Sequence, residues 1–255
     1  MTSNRQIMAC TLNGADFSGI DEKLYIEDIQ EVTTLSVETD KRPGHGRTLL
    51  NAPAHDTIQI TIRFKLKERD LTARSGIISA VQAWACAGWI TISTRPMQRL
   101  FVYPTVFPKV SAWKWSEQLE ITFTAYGEAY WQDVAPVTAS GTGTGGTASL
   151  TPLGTDTCYL EAEITPSAAL TSAVLTVNGR TITLSGISVA SGKTLTIHYD
   201  TDHRLCIDAD GVSLLAYRTG DSADDLLLTP CQTNEITFTF SASCAYVFQA
   251  RGIWR

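Results

Sequence analysis

The chain has 255 residues, 44% of them hydrophobic and 18% charged, which excludes a disordered polypeptide and allows one or two proper cores. A formal net charge of −6 excludes the broad basic footprint of a nucleic-acid binder. No run approaches the roughly 18 apolar residues of a membrane-spanning helix, so no membrane insertion is expected. The opening MTSNRQIMACTLNG has no apolar stretch long enough for a signal peptide, so the expected folding compartment is a cytoplasm.

In chain order, the first clear element is TIQITIRFKLK, Thr57 to Lys67. Ile58, Ile60, Ile62, Phe64 and Leu66 face one way and Thr57, Gln59, Thr61, Arg63, Lys65 and Lys67 the other, the period of a strand with one buried face. A helix follows. Asp70 or Thr72 is its N-cap, Ile77, Ile78, Val81, Trp84 and Ala85 form its apolar stripe, and Gly88 stands where a left-handed C-cap belongs. Strands are predicted at Trp89 to Ser93, Leu100 to Tyr103 and Leu119 to Ala125.

Val137 to Thr151, VTASGTGTGGTASLT, is uncharged and made almost wholly of small residues, a composition that predicts a flexible connector. It divides the chain unequally: residues 1–135 hold 14 Lys+Arg and 15 Asp+Glu, residues 136–255 hold 6 and 11. The expected organisation is a first domain at 1–135, a Gly/Thr-rich linker at 136–150 and a second domain at 151–255. The second reads as all-β. Ala173 to Leu184 is a hairpin around Asn178-Gly179, which suits a type I′ turn. Leu195, Ile197 and Tyr199 mark a strand, and Leu205 and Ile207 lead into a turn at Asp208-Ala209-Asp210-Gly211. Val212 to Tyr217 returns, and Ile236, Phe238 and Phe240 alternate near the end. Short strands separated by tight turns point to an antiparallel sandwich or jelly roll.

Each group that could carry chemistry has a plainer explanation. Gly141 to Gly146 matches G-x-G-x-x-G, yet has no strand before it and no helix after it to aim backbone N–H groups at a pyrophosphate. Asp208 to Gly211 has the composition of part of a calcium loop, but Thr219 stands where the bidentate Glu is needed, and a hairpin turn explains Asp and Gly equally. Asp221, Asp224 and Asp225 read as solvated loop charge. His198, Asp200, Asp202 and His203 read as a strand end plus turn, and His45 and His55 flank the basic loop DKRPGHGR. Cys10, Cys86, Cys158, Cys206, Cys231 and Cys244 include no C-x-x-C pair, so neither zinc nor a disulfide framework is expected. Cys86 and Cys206 lie among apolar neighbours, as small buried hydrophobes do. No catalytic, cofactor-binding or metal-binding residue is assigned, and no enzyme is expected. Trp84, Trp89, Trp113, Trp115 and Trp131 are expected in the core.

The order of segments carries a resemblance. LNGADFSGIDEKLYIEDIQE, the strand TIQITIRF, RSGIISAVQAWACAGWITISTRPMQRLFVYP and ITFTAYGEAYWQD resemble, in succession, the N-terminal domain of the siphovirus distal tail protein (Dit) family. ASLTPLGTDTCYLEAEITP, VLTVNGRTITLSG, LTIHYDTDHRLCIDADG and the closing DLLLTPCQTNEITFTFSASCAYVFQARGIWR resemble its galectin-like C-terminal domain. Pro230 and Asn234 sit where that family tends to show a Pro-Gly-x-Asn turn, with Cys231 in place of the glycine.

The resemblance implies a mainly β protein: an N-terminal β-sandwich-like domain with one α-helix, and a C-terminal antiparallel galectin-like or jelly-roll sandwich. It implies a structural role in the virion, with assembly in the host cytoplasm. The chain would form a homohexameric ring at the tail tip, joining the tail tube protein to the tail-associated hub (lysin) protein. Receptor-binding proteins or a host surface glycan are further partners it implies. A ring closes through heterologous contacts, exposed aromatics of the first half suit an interface, and net negative charge suits a lumen that DNA only passes through. The rival readings are a carbohydrate-binding module, another tail ring component such as a tube or adaptor protein, and a tail-borne hydrolase.

Overall fold

The computed structural model describes residues 8–36, 39–41, 48–50, 54–108, 116–126, 129–200 and 203–255. The fold is mainly β with antiparallel sheets and, among the described residues, one α-helix. The chain divides into two compact units, Met1–Trp131 with Arg255, and Gln132–Trp254.

The strands before the division are β1 (Cys10–Leu12), β2 (Ala15–Asp16), β3 (Leu24–Ser36), β4 (Thr39–Lys41), β5 (Thr48–Leu50) and β6 (Ala54–Lys67). After α1 (Leu71–Trp84) come β7 (Gly88–Ile92), β8 (Arg95–Val106) and β9 (Ser116–Tyr126), and β10 (Trp131–Asp133) lies at the division itself. The main path runs β2-β1-β7-β8-β9-β6-β3. Strand β8 pairs with β7 through Arg95 to Val102 and with β9 from Tyr103 on, so one long strand serves both halves of a sandwich. The strand with the clearest alternation is central: β6 pairs with β9 from Thr57↔Tyr126 to Lys67↔Ser116 without a register shift, and with β3 on its other side. Its inward row, Ile58, Ile60, Ile62, Phe64 and Leu66, is buried as the period demands. Each such side chain contributes about 2 kcal/mol of burial.

Helix α1 starts where its cap predicts, with the Asp70 carboxylate accepting from the Thr72 N–H at 3.0 Å. Ile77, Ile78, Val81 and Ala85 are buried. Trp84 lies half-buried at the helix end. Its ring meets Phe17 and Phe123 edge-on at 5.2 and 5.9 Å, and its Nε1 donates to the Ala15 carbonyl at 3.0 Å. Sequence pattern did not find Arg74, which is buried on the same helix.

Gly88 does not cap the helix. The cap is Ala85, with negative φ, and Gly88 opens β7. It is glycine for another reason: a Cβ there would lie 2.1 Å from the Asn13 side chain, whose Oδ1 accepts from the Trp89 N–H. Strand β3 was not predicted. A bulge between Ile26 and Asp28 shifts its register, and it buries little beyond Leu24, so no period-two signal survives in LYIEDIQEVTTLS.

The second unit holds β11 (Val137–Leu150), β12 (Cys158–Tyr159), β13 (Glu161–Pro166), β14 (Leu170–Val177), β15 (Arg180–Val189) and β16 (Leu195–Tyr199). It continues with β17 (Leu205–Ala209), β18 (Val212–Ser213), β19 (Leu227–Leu228), β20 (Asn234–Ala250) and β21 (Ile253–Trp254). Its sheet runs β15-β14-β20-β13-β16-β17-β18. β14 pairs with the first part of β20 and β13 with the last part, while β11 follows β20 along nearly its whole length. Between Gly143↔Cys244 and Gly145↔Thr239 the register shifts and the ribbon skips Phe240 to Ser243.

The stretch expected as a flexible linker is therefore strand β11. Composition misled because small residues have low intrinsic strand preference, whereas here the neighbouring strand supplies the bulk. The hairpin at Asn178-Gly179 has the two positive φ values, 51° and 76°, of a type I′ turn. Asp210 and Gly211 form the second such turn (56° and 77°), but the expected return strand through Tyr217 stops at Ser213 and becomes a 3₁₀ turn at Leu215–Tyr217.

All six cysteines are free. Burial pushes the Cys10 thiol up to about 12, with Asp16 adding to it, and burial likewise pushes Cys158 to about 12. Cys86 is exposed and Cys206 half-buried, contrary to the expectation for both. Cys86 lies just past the end of α1, where apolar neighbours in sequence no longer share a face.

Candidate assembly surfaces

The groups that might have carried catalysis or metal binding resolve into turns, ion pairs and strand ends. Gly141 to Gly146 lies within β11 and precedes no helix. Asp210 sits at a hairpin tip with Lys193 Nζ at 2.7 Å. Asp224 pairs with Arg218 at 2.5 Å and Asp225 with Arg180. His198 Nδ1 stands 3.5 Å from Asp208 across the β16–β17 pair, while His203 stacks on the Tyr159 ring at 5.6 Å. The Asp200 carboxylate accepts from the Arg204 N–H at 2.9 Å, closing the turn between those strands. Among the described residues no three His, Cys, Asp or Glu converge as a metal site. Asp202, His45, Trp113 and Trp115 lie outside the described residues, and the side chain of His55 does as well.

Trp131 is core, with its Nε1 donating to Glu31 at 2.9 Å. The same carboxylate takes Arg95 on both oxygens, at 2.9 and 3.2 Å, and the Arg95 guanidinium lies over the Trp131 ring. Trp89 is different, being only half-buried. It begins an outward-facing row in which successive rings meet at 5.4 Å (Trp89–Phe101), 5.5 Å (Phe101–Tyr103) and 6.0 Å (Tyr103–Tyr126). Arg99 caps the row, its guanidinium 4.1 Å from the Trp89 ring centre. Tyr103 and Tyr126 are exposed, as are Met97, Val106 and Phe107 of the same region of chain. In β8 the inward row is Leu100 and Val102, so Phe101 and Tyr103 occupy positions where a solvated sheet face would carry polar groups. That inversion was visible in RLFVY and is the signal sequence reading missed. Aromatic, Met and Arg side chains on an exposed face are the composition of an interface centre.

In the second unit the notable site is the Pro230–Asn234 turn. Cys231 holds a left-handed φ of 56°, the conformation for which glycine is favoured. Asn234 is 2% exposed and accepts from the Thr229 N–H and Asn178 Nδ2, each at 2.8 Å. Its own amide donates to the carbonyls of Gln232 (2.8 Å), Thr229 (2.9 Å) and Leu150 (3.3 Å). The turn is a structural clasp, with the exposed Cys231 thiol as its one nucleophile.

Comparison of the fold with solved structures gives matches along almost the entire chain. The SPP1 Dit protein, described as a paradigm of the hub adsorption apparatus in phages that infect Gram-positive bacteria, superposes with a TM-score of 0.66. It covers 96% of this chain and 99% of its own, at 10% sequence identity. Chains from the phage p2 baseplate in its activated conformation, with strontium and with calcium, match at a TM-score of 0.56, covering 96% and 98% at 9% identity. The fold is that of the SPP1 Dit protein and of these baseplate chains. No protein-family model matches the sequence, and no curated protein is similar enough in sequence to mark a relative. Fold alone, then, links this chain to those proteins.

Proposed function

We propose that this chain is a distal tail protein: a non-enzymatic structural component of a long-tailed phage, located at the tail tip in the virion. The observation that carries the reading is the continuity of the fold match, which runs through both units and leaves almost no part of either chain over. The first unit forms a homohexameric ring between the tail tube and the hub protein, and its aromatic row supplies the apolar centre of a subunit contact. The second, galectin-like unit faces outward and carries or adjoins the receptor-binding machinery. DNA passes through the lumen without a specific site, and among the described residues no helix is long and apolar enough to cross a membrane.

Native mass spectrometry across concentrations tests this. The expected species is built of whole rings, each close to six times 27.7 kDa. Tyr103→Lys, at an exposed position, is expected to shift the population towards monomer while leaving the circular dichroism spectrum unchanged. A chain that stays monomeric alone, and also when mixed with the tube and hub proteins of its own virion, overturns the reading.

A further inference from the structure

We propose that the Val137–Gly143 arm of β11 is a self-pairing edge, which joins two copies of this chain by antiparallel strand addition. Among the described residues β11 pairs with β20 alone, so no strand lies along its other side. Exposed edges of this length are normally blunted by lysines, prolines, inward charges or bulges, because their free N–H and C=O groups recruit any extended chain. Here the bulge lies beyond the arm, between Gly143 and Gly145, and the seven residues before it pair in unbroken register with Ala250 to Cys244. They include no charge and no proline, and Thr138, Ser140 and Thr142 are exposed on the outer face. An edge of backbone donors and acceptors fits only another extended backbone, the chemistry of strand addition.

The sequence of the arm selects a second copy as that strand. Antiparallel pairing about Ser140 sets Thr138 against Thr142, Ala139 against Gly141 and Val137 against Gly143, so every small residue meets another small residue. Opposed threonines are a pairing this protein already uses inside its sheets, hydroxyl to hydroxyl, at Thr61–Thr122 (3.1 Å) and Thr176–Thr181 (2.9 Å). The absence of charge also matters. Residues 136–255 carry 6 basic and 11 acidic side chains, so two copies repel over most of this half of the sequence but not along the arm. Such a contact is isologous and joins copies in twos, whereas ring closure is heterologous and uses other surfaces.

Cysteine cross-linking of the full-length protein tests the pairing and its register. In the proposed pair the two Ser140 Cα atoms lie about 4.5–5.5 Å apart, within the roughly 4.4–6.8 Å of a disulfide. Two Thr138 positions are offset by four residues, about 13 Å. Mild oxidation of Ser140→Cys is therefore expected to give covalent dimer well above the wild-type background from exposed Cys86 and Cys231. Thr138→Cys alone gives none above that background, but an equimolar mixture of Thr138→Cys and Thr142→Cys does. Ser140→Lys, which keeps the fold and opposes two like charges, lowers the native mass about two-fold. The mass that remains reports the ring reading separately, six copies or one, and the two-fold ratio reports the strand pair. Cross-linking of Ser140→Cys no greater than wild type, or equal cross-linking by Thr138→Cys alone, overturns the proposal.

Discussion

Replacing Asn234 with alanine removes a side chain that holds several backbone groups in place, and the cost can be worked from the contacts. The Thr229 N–H loses its only observed acceptor, the Gln232 and Thr229 carbonyls lose their amide donor, and Asn178 Nδ2 keeps only the Leu227 carbonyl, at 3.0 Å. The Asn234 amide has two hydrogens and three carbonyls near it, so four bonds, not five, count at full strength. At about 1 kcal/mol net for each bond, with those groups left unmatched at a buried site, the loss comes to about 4 kcal/mol. Against the 5–15 kcal/mol that typically stabilises a domain, this lowers the melting temperature by roughly 15 °C. Calorimetry reads the shift, and hydrogen exchange is expected to place it in residues 132–254. Asn178→Ala, which removes the bonds to Asn234 and to the Leu227 carbonyl and puts alanine at a left-handed φ of 51°, costs about 3 kcal/mol by the same reasoning. A loss below about 1 kcal/mol for Asn234→Ala refutes the view that this amide closes the turn.

Two further outcomes follow from the backbone and the thiols. Cys231→Gly relieves a left-handed residue at the cost of unfolded-state entropy, and denaturant titration is expected to show a net gain of about 0.5–1 kcal/mol. In the native protein Cys86 and Cys231 react quickly with a thiol reagent at neutral pH, whereas burial holds the Cys10 and Cys158 thiols up at about 12 and keeps them unreactive until the chain unfolds. Equal labelling of all four in the native state contradicts that assignment.

How far the sequence could be read depends on where each residue's constraint comes from. Strand β6, helix α1 and the Asn178-Gly179 hairpin were legible because their constraint is local: a period, a cap or a positive-φ pair lies within the segment that shows it. Strand β3 was not, since a bulge resets its period and its outer position leaves little to bury. Gly88 was assigned to a helix end on sequence distance, whereas what forbids a side chain there is Asn13, far away in sequence. Exposed aromatics were expected in the first half, but not which residues, and Trp89 was expected in the core. Only the alternation with Leu100 and Val102 reveals that Phe101 and Tyr103 point outward.

Strand β11 is the strongest case, because its glycines are explained by the strand beside it. Tyr246, Phe238 and Phe248 of β20 cluster, with Tyr246 and Phe248 stacked at 4.8 Å and Phe238 tilted against Tyr246 at 4.5 Å. A Cβ on Gly141 would stand 2.6 Å from the Tyr246 hydroxyl, and one on Gly145 3.1 Å from the Phe238 carbonyl oxygen. At Gly141, bulk on one strand thus excludes it on the other, whereas at Gly145 the close neighbour is backbone. The relation is testable as a coupling. Gly141→Ala forces the Tyr246 ring aside and is expected to cost about 1–3 kcal/mol, the usual penalty of overpacking. In a Tyr246→Ser background the intruding hydroxyl and ring are gone, and the same substitution becomes neutral or favourable, since alanine suits a strand better than glycine. The double-mutant cycle, read by denaturant unfolding, should then give a coupling of at least about 1 kcal/mol. Additive losses would mean that Gly141 is glycine for the backbone's sake alone, and the complementarity argument for β11 would fail with it.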